Sequence, residues 1–72
     1  MVVSSTAGFG EALRKRRKKL GYTQAFLAEA TGFSVSFISD LERGKSTAEL
    51  GKALSLANLL GMDIVMQERE LR

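Results

Sequence analysis

Two helical periods, each about two turns long, lie between Thr23 and Gly44 with only Gly32-Phe33-Ser34 between them, and they restrict the fold more than any other feature. Thr23 is placed to cap a helix running from Gln24 to about Thr31, with Leu27 and Ala28 inward and Gly32 closing it. Ser34 is the natural cap of the next helix, from Val35 to Arg43, whose inner stripe is Ile38 and Leu41 and whose stop is Gly44. Helices this short are unstable alone and must pack against each other. The small Ala28 lets the second helix cross closely, so the pair reads as a helix-turn-helix.

The flanking segments supply the rest of a small bundle. From Gly8 the pattern is helical, with Phe9, Leu13 and Leu20 near one stripe and Gly21 ending it; residues 1–7 lack that period and read as a flexible arm. Ser46-Thr47-Ala48-Glu49 reads as a capping box opening a fourth helix that ends near Leu60, before Gly61. Leu50, Ala53, Leu54, Ala57 and Leu60 form its inner stripe; Leu56 and Leu59 widen it toward a surface that another subunit can cover. After Gly61 the period drops to two, which predicts a short strand within residues 62–69, centred on Ile64, Val65 and Met66. A lone strand after a bundle has no partner in its own chain, so pairing with the same strand of a second subunit is expected. The expected architecture is a single all-α domain over residues 1–72, a bundle of four to five helices with a helix-turn-helix and a C-terminal β-strand that pairs across a dimer.

Composition narrows the function. The chain has no cysteine and no histidine, which removes disulfides, the common zinc ligands and the usual nucleophiles and general bases. No enzyme activity, cofactor or metal is expected. The apolar run near the C-terminus is too short to cross a bilayer and no secretory signal opens the chain, so a cytoplasmic protein without membrane contact is expected. Of the 11 basic residues six are consecutive, Arg14 to Lys19; the other five face 8 acidic residues, so the remainder carries −3 and the positive field comes from one element. Such a block is either a solvated helix face or a surface for a polyanion.

Tyr22-Thr23-Gln24, Leu27-Ala28, Gly32 and the run Phe37-Ile38-Ser39-Asp40-Leu41-Glu42-Arg43-Gly44-Lys45 follow one another at a recognisable spacing. Over residues 8–60 the chain resembles the phage-repressor and Cro-like (XRE-type) helix-turn-helix family. Gly51-Lys52-Ala53-Leu54 and the terminal segment look like HipB-type antitoxins within it. The resemblance implies a dimeric transcriptional repressor that binds a palindromic double-stranded DNA operator, autoregulates a HipBA-like operon and binds a HipA-like kinase toxin. A stand-alone regulator, or a helix-turn-helix adaptor that bridges proteins or RNA, are the alternatives.

The second short helix is the candidate recognition helix, and its N-terminal and outward residues are those that reach base edges in this docking mode. These are Ser34, Val35, Ser36, Ser39 and Asp40. Serine hydroxyls discriminate weakly, Val35 suits a thymine methyl and Asp40 can accept from cytosine N4. For each serine, plain solvated polarity is the competing reading. The family often carries glutamine, asparagine or arginine at the early positions; none stands here, which shifts weight toward DNA shape. Gln24 at a helix N-terminus, Arg14 and Lys18 in the basic block, and Arg43 and Lys45 beyond the recognition helix are the expected phosphate contacts. Arg17 and Glu42 both fall on apolar stripes, so they are expected to pair as a structural ion pair, and the resemblance implies the same. Phe37, between the inner and outer faces, is expected to pack.

Overall fold

The computed structural model describes residues 2–71, and among them the chain forms four helices: α1 (Thr6–Lys19), α2 (Gln24–Thr31), α3 (Val35–Glu42) and α4 (Leu50–Leu59). The two caps expected in the helix-turn-helix are present. Thr23 Oγ1 accepts from the Phe26 N–H at 3.0 Å and Ser34 Oγ from the Phe37 N–H at 3.0 Å. Each cap satisfies an N–H that the helix leaves without a partner. Gly32 closes α2 in the left-handed conformation with φ 78°.

α3 packs against both α1 and α2. Leu13 from α1, Leu27 from α2, Ile38 and Leu41 from α3, and Ala53, Leu56, Ala57 and Leu60 from the α4 segment make one core, with Phe9, Ala28, Phe33, Phe37, Ala48 and Met62 packed around it. Phe37 therefore packs, as its position predicts. Two glycines bring α1 onto the C-terminal end of α3. A methyl group at Gly10 would collide with the Leu41 carbonyl oxygen and lie 2.6 Å from that of Glu42. Gly44 turns the chain at φ +84°, and a Cβ there would come 2.6 Å from the Ala7 Cα. Only a residue without a side chain permits these approaches.

The structure departs from the sequence expectations at four places. α1 starts at Thr6 instead of Gly8, because Ser5 Oγ accepts the Gly8 N–H at 2.9 Å, so the end of the expected arm is a helix start. Ser46 opens no capping box: Ala48 N–H bonds back to the Lys45 carbonyl at 3.3 Å, Ala48 is drawn against the core, and Glu49 caps α4 with its backbone and no side-chain bond. On α4, Leu56 is in the centre of the core while Leu50 and Leu59 are exposed, so the helix turns the Ala53, Leu56, Ala57 and Leu60 face inward; Leu20, the cap residue after α1, is also exposed. The fourth correction concerns the C-terminus.

Residues 63–71 form no strand, and Ile64, Val65 and Met66 are exposed. A strand requires a ladder, and a single chain offers this segment no edge to pair with.

Three long-range contacts hold the bundle together beyond the core. Arg16 Nε donates to the Leu60 carbonyl at 2.8 Å, so a cation on α1 meets the negative end of α4. The Lys52 ammonium of α4 sits 5.9 Å from the ring centre of Phe33 and 5.7 Å from that of Phe37, whose rings meet edge to face at 5.3 Å. This ties α4 to the turn between α2 and α3. The third is the buried ion pair.

Candidate nucleic-acid interface

Arg17 and Glu42 form the predicted pair. Arg17 Nε donates to Glu42 Oε2 at 2.6 Å and Nη2 to Oε1 at 3.0 Å, both ends buried. Arg17 Nη1 also donates to the Tyr22 carbonyl at 2.8 Å, the first residue after the α1 turn. Burial pushes the Glu42 carboxyl up, but the bonds from Arg17 and Gln24 and the charges of Arg17 and Arg14 outweigh it, leaving the group below its ordinary value. The bond to Glu42 holds Arg17 above its ordinary value despite desolvation. Among the described residues no buried side-chain nitrogen or oxygen lacks a partner.

Gln24 is a member of this cluster. Its Nε2 donates to Glu42 Oε1 at 3.1 Å, so the residue expected to meet a phosphate is also bonded to the core carboxylate. The amide has a second N–H, and the first N–H groups of α2 lie at the positive end of the helix beside it. Arg14 lies on α1, and its positive charge contributes to lowering the Glu42 pKa. Lys18 follows one turn later; both side chains are exposed.

α3 presents two opposite stripes. Ile38, Leu41 and Glu42 are buried, whereas Ser34, Val35 and Ser36 are exposed and Ser39 and Asp40 half-exposed. All five candidate base contacts therefore lie away from the core, on and just before one helix. Their chemistry is less free than the sequence suggests. Ser34 is engaged as a cap acceptor. Ser39 Oγ accepts from Arg43 Nη1 at 2.8 Å, and Asp40 Oδ1 accepts from Arg43 Nη2 at 2.8 Å. Lys45 Nζ lies 3.5 Å from Asp40 Oδ2. Arg43 and Lys45, expected as phosphate contacts, are gathered around Asp40 instead of reaching outward separately.

Sequence reasoning missed the bonds of Gln24 to Glu42 and of Arg43 to Ser39 and Asp40. The first joins residues 18 apart and carries no local signal. The second has one: arginine three and four residues after an aspartate and a serine on a helix face is within reach of both. Among the described residues no group of three or more acidic, cysteine or histidine side chains gathers as a metal site, and no helix is long and apolar enough to cross a membrane.

The sequence profile of the Helix-turn-helix family matches residues 13–66. An uncharacterized HTH-type transcriptional regulator, y4mF of Sinorhizobium fredii (strain NBRC 101917 / NGR234), is 39% identical over 62 residues, 86% of this chain and 82% of that protein. Another, YazB of Bacillus subtilis (strain 168), is 34% identical over 64 residues, 85% of this chain and 93% of that protein. Among solved structures, a chain of a "HipB-O4 20mer complex" superposes with a TM-score of 0.86 at 20% identity, covering 97% of this chain and 99% of that one. A chain of a "HipA-HipB-O2-O3 complex" gives 0.87 at 20% identity, with the same coverage of 97% and 99%. At that identity the likeness shows the fold.

Proposed function

Since the chain belongs to the helix-turn-helix family, we propose that it is a sequence-specific double-stranded DNA-binding repressor acting as a homodimer on a palindromic operator, and the autoregulating antitoxin of a HipBA-like operon. The observation that carries this reading is α3 itself. Its inner stripe is buried in the core while Val35, Ser36, Ser39 and Asp40 stand away from it, and the cations Arg14 and Lys18 are exposed on α1, which packs against α3. A helix held from behind and bare in front, with positive charge alongside, suits insertion in a major groove. That y4mF and YazB are named as transcriptional regulators supports the regulatory role. The fold shared with HipB, solved with an O4 20mer and with HipA, supports the antitoxin assignment and a HipA-like kinase as partner. Catalysis and cofactors have no part in it.

In this reading the exposed Ile64, Val65 and Met66 become ordered as a strand only when a second subunit supplies its partner. Two half-sites about 34 Å apart then match the two recognition helices. A footprint upstream of the chain's own gene tests the proposal: protection of a two-fold symmetric site is expected, and equal binding to any duplex would refute it in favour of an adaptor. A neighbouring kinase-like gene whose product co-purifies with this protein is expected of the antitoxin; without such a partner the protein is a stand-alone regulator. Deleting residues 63–72 should give monomers in sedimentation, and a dimer that survives would refute the role of the segment.

A further inference from the structure

Four of the five residues on the outward stripe of α3 are short. Val35, Ser36, Ser39 and Asp40 recur with Arg43 at the spacing of one helix face, and only Arg43 has the reach and the donors for bidentate recognition. We propose that Arg43 reads a guanine in the major groove and that Asp40 is a positioning residue for it, an inference that rests on α3 occupying that groove.

The geometry is specific about where the guanidinium lies. Arg43 is the C-cap of α3. Here the side chain runs back along the helix, as side chains tilt toward the N-terminus. Nη1 reaches Ser39 Oγ and Nη2 reaches Asp40 Oδ1, each at 2.8 Å. The charged group therefore lies over the middle of the stripe while its side chain remains 71% exposed. One exposed ion pair is weak and mobile, but bonds to two different side chains set the plane of the fork as well as its position. Two of its five N–H groups are used, so three remain for a ligand.

Asp40 is turned from a reader into a holder by the same contacts. Arg43 engages one carboxylate oxygen and Lys45 lies 3.5 Å from the other. A cytosine amino group would have to compete with two cations for that carboxylate. Together the three side chains carry one net positive charge, which suits the N7 and O6 acceptors of guanine. Arg43 also supplies the long bidentate donor that the early positions of the helix lack.

The test is selection from a pool of randomised duplex DNA by the full-length protein and by Arg43→Lys, Arg43→Ala and Asp40→Asn. Wild type should enrich a guanine at a fixed position of each half-site, by about five- to 100-fold over other bases. Arg43→Lys, which keeps the charge but not the fork, and Asp40→Asn should lose that preference at the same base pair and keep the rest of the motif. Unchanged circular dichroism melts would show that each variant is folded, as expected for exposed side chains. The inference is overturned if Arg43→Lys keeps the guanine and Arg43→Ala weakens all sequences alike with a smaller salt dependence, the behaviour of a phosphate contact. It is also overturned if Asp40→Asn changes a different base pair from Arg43→Lys. Enrichment of no motif by wild type would instead sink the operator reading, and the role of Arg43 with it.

Discussion

Breaking the Arg17–Glu42 pair from either side should cost a large part of the stability of this protein, whereas removing both partners should cost less than removing either one. With 72 residues, the folded state is worth about 4 to 11 kcal/mol. Arg17→Met deletes the bonds at 2.6 and 3.0 Å and leaves a carboxylate in the core with only Gln24 bonded to it. Glu42→Leu leaves the guanidinium with only the Tyr22 carbonyl. Each single change should cost about 3 to 5 kcal/mol, since an uncompensated charge stays buried. In the double variant no charge remains, and the losses are a partner each for Gln24 and the Tyr22 carbonyl, about 1 kcal/mol apiece. The coupling is then at least about 4 kcal/mol, within the range of close charge pairs. Urea denaturation followed by far-ultraviolet circular dichroism measures all four proteins, with unchanged m-values as the check on the unfolded state. A double variant as unstable as the sum of the two singles would show that the pair is not an energetic unit, and the argument would be refuted.

Two glycines should respond with opposite sign. Gly10→Ala drives a methyl into the Leu41 and Glu42 carbonyls and should lose about 1 to 3 kcal/mol, while Gly51→Ala, with nothing nearer than Glu49 Oε1 at 3.8 Å in the first turn of α4, should gain up to about 1 kcal/mol; urea midpoints give both. The ion pair also predicts an acid limb. Glu42 has a lowered native pKa, so its contribution is fully present above its ordinary value of 4.5 and is lost as pH falls through the lowered one. Arg17 is raised above its ordinary value, so its share is present throughout the neutral and acid range and lost only in strong alkali. Melting temperature should therefore fall in acid more steeply for wild type than for the Arg17→Met/Glu42→Leu variant, and equal slopes would count against the assignment. Finally, Arg16→Ala removes the cation at the end of α4 and should cost about 1 kcal/mol, whereas Lys15→Ala, on the exposed side of the same helix, should change the melting temperature little.

By itself the sequence determined what short-range forces decide. Thr23 and Ser34 each bond an N–H three residues ahead, so the starts of α2 and α3 follow from residues that are neighbours in the chain. Helical spacing set Ile38 and Leu41 inward and Val35, Ser36, Ser39 and Asp40 away from them, and it marked Arg17 and Glu42 as charges that need each other. The same logic failed at Ser46, where a motif with the right letters lies in a turn because Ala48 is taken by the core.

Only the tertiary structure decided which contacts join distant parts of the chain. Within the basic block Arg16 and Arg17 look like their neighbours, yet one bonds a carbonyl 44 residues away and the other a carboxylate 25 away. That Leu56 is central and Leu50 exposed depends on which face of α4 is turned to the bundle, and that Gly10 must be glycine depends on how closely α1 crosses α3. Periodicity states which face a residue occupies, but not what stands opposite it. The C-terminal segment marks the same boundary from the other side, since alternation predicts a strand within residues 62–69 and the structure forms none there, alternation alone supplying no edge to pair with.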